Sequence, residues 1–386
     1  MNERLRPRAA VTAGDSADPA LGPDADARAM RSARSGPRAR EGAPRPTMTD
    51  VAMAAGVSQT TVSLVLNDAY GARLSEGTRK RVLAAATQLG YRLVKRGPSP
   101  APTGAAAIGF VVNEISTDPW CAIAMDGARE KAWEHGLTIS AAVTRGDAEM
   151  EQAVLTQMAA QPLLGLIYGT IHTRQVVPPP ALHSLPCVLL NCYAPDRSLP
   201  SVVPSEVAGG QAATHRLVRA GHRRIGFING EPGLDACRDR LKGYRHALAT
   251  ADLPFDPDLV RPGNWEPSAG YQQTHALIKL PDPPSAIFCA NDMMALGCYE
   301  ALRELGLRIP RDIAVIGYDD REIAQFMHPP LTTLLLPHFE MGTQAAEYII
   351  DHALRQPQRP PQLKVECPLV ERLSVGPILA GEDHET

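Results

Sequence analysis

The residues best suited to act on another molecule are the short amides and hydroxyls crowded into Thr47 to Asn67, T-M-T-D-V-A-M-A-A-G-V-S-Q-T-T-V-S-L-V-L-N. Gly56 permits a sharp turn between two short helices, the first capped by Thr47 or Thr49 and the second by Ser58. Val51, Val57 and Val62 fill the angle between them, and the small Ala54 and Ala55 let them approach, which is the pattern of a helix-turn-helix. Gln59, Thr60, Ser63 and Leu64 then share the outer face of the second helix, since Gln59 with Ser63 and Thr60 with Leu64 are four residues apart. Such an amide can pair with adenine in the major groove, and the hydroxyls suit phosphates and base edges. A small helical bundle with a polar face has the same pattern, but charge separates the two: Thr47 to Gly97 holds seven basic against three acidic residues, a net of +4.

Residues arranged for catalysis or metal binding are not found. The sequence contains no G-x-G, no Gly-Lys pair, no G-x-S-x-G, no H-E-x-x-H and no H-x-x-x-H. The 11 His are dispersed, and the seven Cys include no C-x-x-C and sit mostly in apolar runs, as Cys187 and Cys289 do. Reduced thiols in a cytoplasmic protein are expected, with no metal and no cofactor. His222 is read as a packing residue near a strand start, and Cys187 and Cys192 as core. No apolar stretch is long enough to span a bilayer, so no membrane association is expected.

The elements that position these groups follow from pattern. Of 386 residues, 39 are Lys or Arg and 42 Asp or Glu, a net charge of −3. Residues 1–46 carry +3, which with the +4 of the next segment leaves −10 beyond Gly97. A basic head on an acidic body is therefore expected. Residues 1–46, rich in Arg, Pro and Ala with little to bury, read as a disordered tail in which Met30 and Met48 are alternative starts. Residues 47–97 form the helical DNA-binding domain. Its third helix opens near Ser75 and Thr78 and carries the stripe Val82, Ala85, Ala86 and Leu89, packing on Val51, Ala55, Val62 and Leu66. Residues 98–105 are a Pro-rich linker and 378–386 a flexible C-terminal tail without leucine heptads.

Residues 106–377 alternate short apolar runs with helical segments. The runs are 106–112, 137–143, 163–168, 187–191, 224–229, 285–290 and 313–318; the helices are 122–135, 208–220, 236–251, 269–279 and 292–305. This spacing predicts parallel sheets covered on both faces, two subdomains, and a cleft at the C-terminal strand ends.

Residues 47–91 resemble the headpiece of the lactose-repressor (LacI/GalR) family of bacterial transcription regulators, whose signature is T-x-x-D-V-A-x-x-A-G-V-S-x-x-T-V-S-x-V-L-N. The resemblance extends through A-G-H-R-R-I (220–225), A-N-D-M-M-A-L-G (290–297), A-V-I-G-Y-D-D (314–320) and P-L-T-T (330–333). It implies an all-α helix-turn-helix headpiece on an α/β core like that of periplasmic binding proteins. It also implies a homodimer on a near-palindromic double-stranded DNA operator, most often as a repressor. Gln59, Thr60 and Leu64 take the base-reading positions, and Ser58, Thr61, Ser63, Asn67 and Thr78 the phosphate-positioning ones. Two departures stand out. Arg92 to Pro100 lacks the family's Pro-Asn and A-R-x-L hinge, so a regular hinge helix is expected to be absent or very short. In the family's V-x-x-D-N-x-x-G-G, Ser205 replaces the Asp.

The resemblance further implies a small-molecule effector, a carbohydrate or a derivative of one, in the core cleft. Such ligands need an apolar plate and planar polar groups. Trp120, Asn191, Arg240, Trp265, Asn291 and Asp319 lie at strand ends or open the following helices. Arg240, Asn291 and Asp319 would hold hydroxyls or a carboxylate, and Trp265 would stack on a ring. Asp292 and Asp319 also read as helix-start charges. Alternative readings are a solute-binding protein of the same core fold, which would lack the DNA-binding head; a doubly wound enzyme, which would show an acid–base cluster; and an activator or ligand-independent regulator.

Overall fold

The computed structural model describes residues 46–57, 59–66, 76–91, 107–354 and 361–377. The tail at 1–45, Ser58, Asn67, the hinge and linker from 92 to 106 and the tail from 378 lie outside these residues.

Three helices form the head: α1 (Met48–Ala55), α2 (Gln59–Leu66) and α3 (Glu76–Leu89). Thr47 and Asp50 close a capping box at the start of α1: the Thr47 hydroxyl accepts from the Asp50 amide at 3.3 Å, and the Asp50 carboxylate accepts from the Thr47 amide at 2.7 Å. These hydrogen bonds hold the Asp50 carboxyl below the ordinary value. Gly56 ends the helix with φ of 63°, left-handed backbone that favours glycine. The core of the head is Val51, Ala52, Ala55, Val62, Val65, Val82, Ala85 and Ala86, with Val57 and Leu66 partly buried against it. Two expectations fail on helical phase. Ala54 is exposed and Ala52 is buried in its place, because Val51, Ala52 and Ala55 share one face of α1. Leu89 is 38% exposed at the end of α3, and it is Tyr91, just past the helix, that packs on the core instead. Arg81 donates to the Ala55 carbonyl at 3.4 Å, placing a cation at the C-terminal end of α1.

The core follows as β1 (Ala107–Val112), α4 (Trp120–Glu134), β2 (Thr138–Val143), α5 (Ala148–Ala159), β3 (Leu163–Gln175), β4 (Cys187–Tyr193) and β5 (Ser201–Pro204). A second lobe runs through α6 (Glu206–Arg219), β6 (Ile225–Ile228), α7 (Asp235–Thr250), β7 (Val260–Arg261), α8 (Pro267–Ile278), β8 (Ala286–Cys289), α9 (Asp292–Glu304) and β9 (Ala314–Ile316). The chain then passes β10 (Thr333–Leu334), returns to the first lobe with α10 (His338–Leu354) and β11 (Gln362–Val365), and ends with β12 (Leu369–Val370). The first sheet has order β11-β5-β4-β3-β1-β2 and the second β7-β6-β8-β9, every paired strand in both being parallel. β10 pairs antiparallel with β12, Thr333 opposite Val370 and Leu334 opposite Leu369.

Alternation along the strands explains why both faces are covered. Ile108, Phe110 and Val112 of β1, Ile167 of β3 and Val188 and Leu190 of β4 join one apolar cluster, which includes α4 and α10. Val111, Leu166, Tyr168, Cys187 and Leu189 point the other way and meet Leu155 and Met158 of α5. The sequence pattern missed α5, α10 and the short strands β5, β7, β10, β11 and β12. It also ended β3 early, at Tyr168 instead of Gln175.

Helices α4 and α10 cross where side chains vanish. A Cβ on Gly342 would fall on the main-chain carbonyl of Ala124, which cannot swing aside as a side chain can. Replacing Gly342 with Ala should therefore separate the helices and cost about 1–3 kcal/mol. Chemical denaturation of the core, followed by circular dichroism, should show that loss with the slope unchanged.

Candidate functional site

On the head, Gln59 is exposed at the first turn of α2, free to face a groove. Thr60, Ser63 and Leu64 lie on the same helix, and their side chains fall outside what the structure describes. Thr61 is only 5% exposed, so little of its hydroxyl is available to a phosphate. Thr78 is half-buried on α3, within 3.5 Å of the Arg81 guanidinium.

In the core, the C-terminal ends of the two parallel sheets face one another across a cleft of about 570 Å³, open mouth included. All six expected effector residues line it: Trp120, Asn191, Arg240, Trp265, Asn291 and Asp319. They do so in different capacities.

Asn191 and Asn291 spend their side chains on the protein. The Asn191 amide donates to the carbonyls of Thr170 and Ile171, each at 3.0 Å, and its oxygen accepts from the Thr173 hydroxyl at 2.5 Å. It thereby pins the irregularity in β3 that turns His172 and Thr173 toward the cleft. Asn291 caps α9, accepting from the Met294 amide at 2.8 Å, and donates to the Trp265 carbonyl at 2.9 Å. It holds the loop whose Trp265 has φ of 69°.

Arg240, 3% exposed, is the most deeply buried charge lining the cleft. Its Nε and Nη2 donate to the two oxygens of Glu206 at 2.7 and 2.9 Å, and Nη1 donates to the Ala290 carbonyl. The guanidinium lies 3.7 Å from the Tyr318 ring centroid. Burial opposes its charge, and the Glu206 carboxylate overcomes that, holding its pKa above the ordinary arginine value. Glu206 itself opens α6, whose N-terminus favours a carboxylate. Gly209 and Gly210 bring α6 against Tyr318 and the Arg240 backbone, so that the pair can close.

Asp319, with φ of 111° and 7% exposure, stands 3.8 Å from Arg240. Burial raises its pKa well above the ordinary carboxylate value, more than Arg240 lowers it. Trp120 is stacked on His338, ring centroids 5.1 Å apart, with the Arg321 guanidinium 5.2 Å from its ring. Arg321 is itself paired with Asp118. Three groups on this wall find no hydrogen-bond partner among the described residues: Nε1 of Trp265, Nε2 of His338 and Nε of Arg321.

Sequence pattern missed Glu206, His338, Arg321, Asp118 and Tyr318. Glu206 had a signal, as it follows Ser205 in the V-x-x-D-N-x-x-G-G segment, and so had Tyr318, which stands within A-V-I-G-Y-D-D. Asp292 proved more than a helix-start charge: fully buried, it accepts from the Thr333 hydroxyl at 2.6 Å and the Arg321 amide at 2.7 Å, and burial lifts its pKa to about 8. All seven cysteines are buried and free, and His222 packs against Ser285 and Gly376. Among the described residues no group of His, Cys, Asp or Glu is placed to hold a metal, and no helix is long and apolar enough to cross a membrane.

A helix-turn-helix joined to a two-lobed core with a polar, aromatic-walled cleft defines a DNA-binding regulator with a ligand site. The comparisons agree. The signature "Bacterial regulatory proteins, lacI family" matches residues 47–92, and "Periplasmic binding protein-like domain" matches residues 214–375. The HTH-type transcriptional repressor PurR of Aliivibrio salmonicida is 31% identical over 79% of this chain and 91% of its own. CytR of Escherichia coli, another HTH-type transcriptional repressor, is 30% identical over 84% of this chain and 95% of its own. A complex of the transcriptional regulator CelR with cellobiose superposes with a TM-score of 0.59 at 30% identity, covering 86% of this chain and 100% of that one. The lac repressor dimer bound to operator and the anti-inducer ONPF gives 0.58 at 27% identity, with the same coverage. The chain belongs to the lacI family of bacterial regulatory proteins and is a DNA-binding transcriptional regulator.

His338 yields a test of the cleft's electrostatics. Burial, with the charge of Arg240 nearby, pushes its pKa from 6.5 down to about 3. The unfolded chain takes up this proton as pH falls through 6.5 and the folded chain does not, so stability is lost from pH 6.5 toward 3. His338→Phe keeps a ring against Trp120 and removes the titration. Between pH 7 and pH 5 it should lose about 2 kcal/mol less than the wild type, read from denaturant unfolding at each pH.

Proposed function

We propose that this protein is a transcriptional repressor that binds a near-palindromic operator as a homodimer and is controlled by a sugar or sugar derivative in the core cleft. The observation that carries this reading is the presence in one chain of a helix-turn-helix with Gln59 exposed and of a cleft lined by Trp120, Arg240, Trp265 and Asp319. The names of the relatives support it: PurR, CytR and a ribose operon repressor are repressors, CelR was solved with cellobiose, and the lac repressor was solved as a dimer on operator. Two heads on two half-sites multiply single-site specificity, so dimerisation is what makes one small module useful. The domain layout proposed is a DNA-binding domain at 47–97, a linker at 98–105 and an effector and dimerisation core at 106–377. Gln59, Thr60 and Leu64 would read bases, and Ser58, Thr61, Ser63, Asn67 and Thr78 would hold phosphates. The seven buried free thiols and the relatives' roles support a cytoplasmic protein without catalytic activity.

Fluorescence anisotropy on DNA from upstream of its own gene, against a scrambled duplex across a salt series, tests the reading. Specific binding, steep in salt and shifted by one member of a sugar panel, is the expected result. Gln59→Ala should weaken operator binding by about 1–3 kcal/mol while leaving binding to the scrambled duplex unchanged. Equal binding of the wild type to both duplexes would remove operator recognition from the reading. By calorimetry, Asp319→Ala should abolish the response to the sugar; unchanged affinity would remove that residue from the site.

A further inference from the structure

Two guanidinium groups, those of Arg240 and Arg321, line the cleft, and both are already engaged. Arg240 is held by both oxygens of Glu206 and has a second carboxylate, Asp319, 3.8 Å away; Arg321 is paired with Asp118. Two cations thus face the carboxylates of Glu206 and Asp118, with a third carboxyl, that of Asp319, whose ionisation burial opposes. The imidazoles of His172 and His338 add no compensating charge at neutral pH, because desolvation holds both below the ordinary histidine value. Three groups on the wall are left without hydrogen-bond partners among the described residues: Nε of Arg321, whose charge Asp118 already neutralises, and two uncharged ones. Nε1 of Trp265 can only donate one hydrogen bond, and Nε2 of His338 belongs to a neutral ring. These two match hydroxyls, which both donate and accept, and neither brings charge; Nε of Arg321 donates from a cation that Asp118 already holds, so it adds no net positive charge for a phosphate.

Geometry makes the engagement of Arg240 hard to undo. Glu206 is 4% exposed and meets the guanidinium fork with both oxygens, an arrangement in which removing either partner strands a buried charge. An incoming phosphate would have to displace Glu206 from the N-terminus of α6, or lie beside it at low dielectric.

We propose that Glu206 is a specificity-determining residue, which withdraws Arg240 from anion recognition and so makes the cleft select uncharged, hydroxyl-bearing ligands over their phosphate esters and carboxylates. The proposal rests on the reading of this cleft as the effector site. It adds that charge, not only shape, decides what enters.

Matched probes test it on the full chain by calorimetry and thermal shift: ribose against ribose 5-phosphate, glucose against glucose 6-phosphate and glucuronate, cellobiose, and inorganic phosphate alone at constant ionic strength. For any probe pair that binds, the neutral member should bind the wild type at least tenfold tighter than its charged partner. Inorganic phosphate should leave the wild type unshifted. Glu206→Gln removes the neutralising charge and should gain at least tenfold in phosphate affinity, whereas Glu206→Asp, which keeps the charge, should not. A wild type that takes a phosphate ester or glucuronate more tightly than the parent sugar overturns the proposal, and so does a folded Glu206→Gln protein with no gain for phosphate. Should Glu206→Gln fail to fold, phosphate binding by the wild type and by Glu206→Asp decides: stabilisation of either overturns the proposal, and rejection by both supports it. A phosphate gain in Glu206→Gln with no sugar bound by any form would uphold the charge argument while removing the sugar from the functional reading.

Discussion

A guanidinium cannot be carried into a protein interior unless something of opposite charge goes with it, and the cleft is organised around how Arg240 meets that demand. Desolvating the ion costs several kcal/mol, which a single carboxylate offsets only with good geometry and every remaining donor occupied. Glu206 supplies the fork-to-fork pair, the Ala290 carbonyl takes Nη1, and the Tyr318 ring covers the flat face. Each partner comes from a different element: Glu206 from the start of α6, Ala290 from the end of β8, Tyr318 from the end of β9. Satisfying one side chain therefore fixes the relative positions of the elements that build the second lobe's half of the site.

The two lobes are joined by polar contacts at either side of this floor. Asp118, in the loop before α4, pairs with Arg321 beyond β9, and the hydroxyl of Tyr193 at the end of β4 donates to Asp235 at the start of α7 at 2.6 Å. Neither is a large contribution in itself, since partly exposed pairs give about 1 kcal/mol or less. They matter because they exist in one relative arrangement of the lobes. Three chain crossings at Pro204–Glu206, Leu334–His338 and Val365–Leu369 are the only connections between the lobes among the described residues, so the lobes can rotate about them. A ligand that touches Asp319 on one lobe and the Trp120 wall on the other stabilises the same arrangement as these contacts. That differential affinity is what a regulator of this construction needs.

The head was legible almost residue by residue, because its folding is governed by local rules: a capping box at Thr47 and Asp50, left-handed backbone at Gly56, and one apolar face per helix. Where the reading slipped, at Ala54 and Leu89, the error was of phase and of helix end, which composition does not resolve. The parallel-sheet core was legible from its apolar runs. Strands β5, β7, β10 and β12 were not, because at two to four residues they show no period, and α10 was lost because the apolar run before it, Leu334 to Leu336, is only three residues long and ends at Pro337. In the site, all six expected residues reached the cleft, yet sequence could not show that Asn191 and Asn291 would be consumed in hydrogen bonds to the backbone. It also drew attention to Ser205 as the departure, whereas the structure puts the charge at Glu206, one residue on. Partners brought together across 34 residues, as Glu206 and Arg240 are, leave no local trace.

The consumed asparagines explain a feature that would otherwise look like a defect. Asn191, Trp265 and Asp319 have φ of 57°, 69° and 111°, left-handed conformations that cost of order 1–3 kcal/mol each. Such backbone persists only when its surroundings over-determine it. Asn191 is held by three hydrogen bonds to β3; the Trp265 carbonyl is held by Asn291; and Asp319 is tied through its amide to the Leu334 carbonyl at 2.7 Å. The groups lining the cleft are thus set by the chain's own hydrogen bonds, so a ligand seated there would spend little binding free energy on ordering the floor. What remains would be available to hold the lobes together, and by that route a preformed floor on separable lobes would convert occupancy into a change of shape.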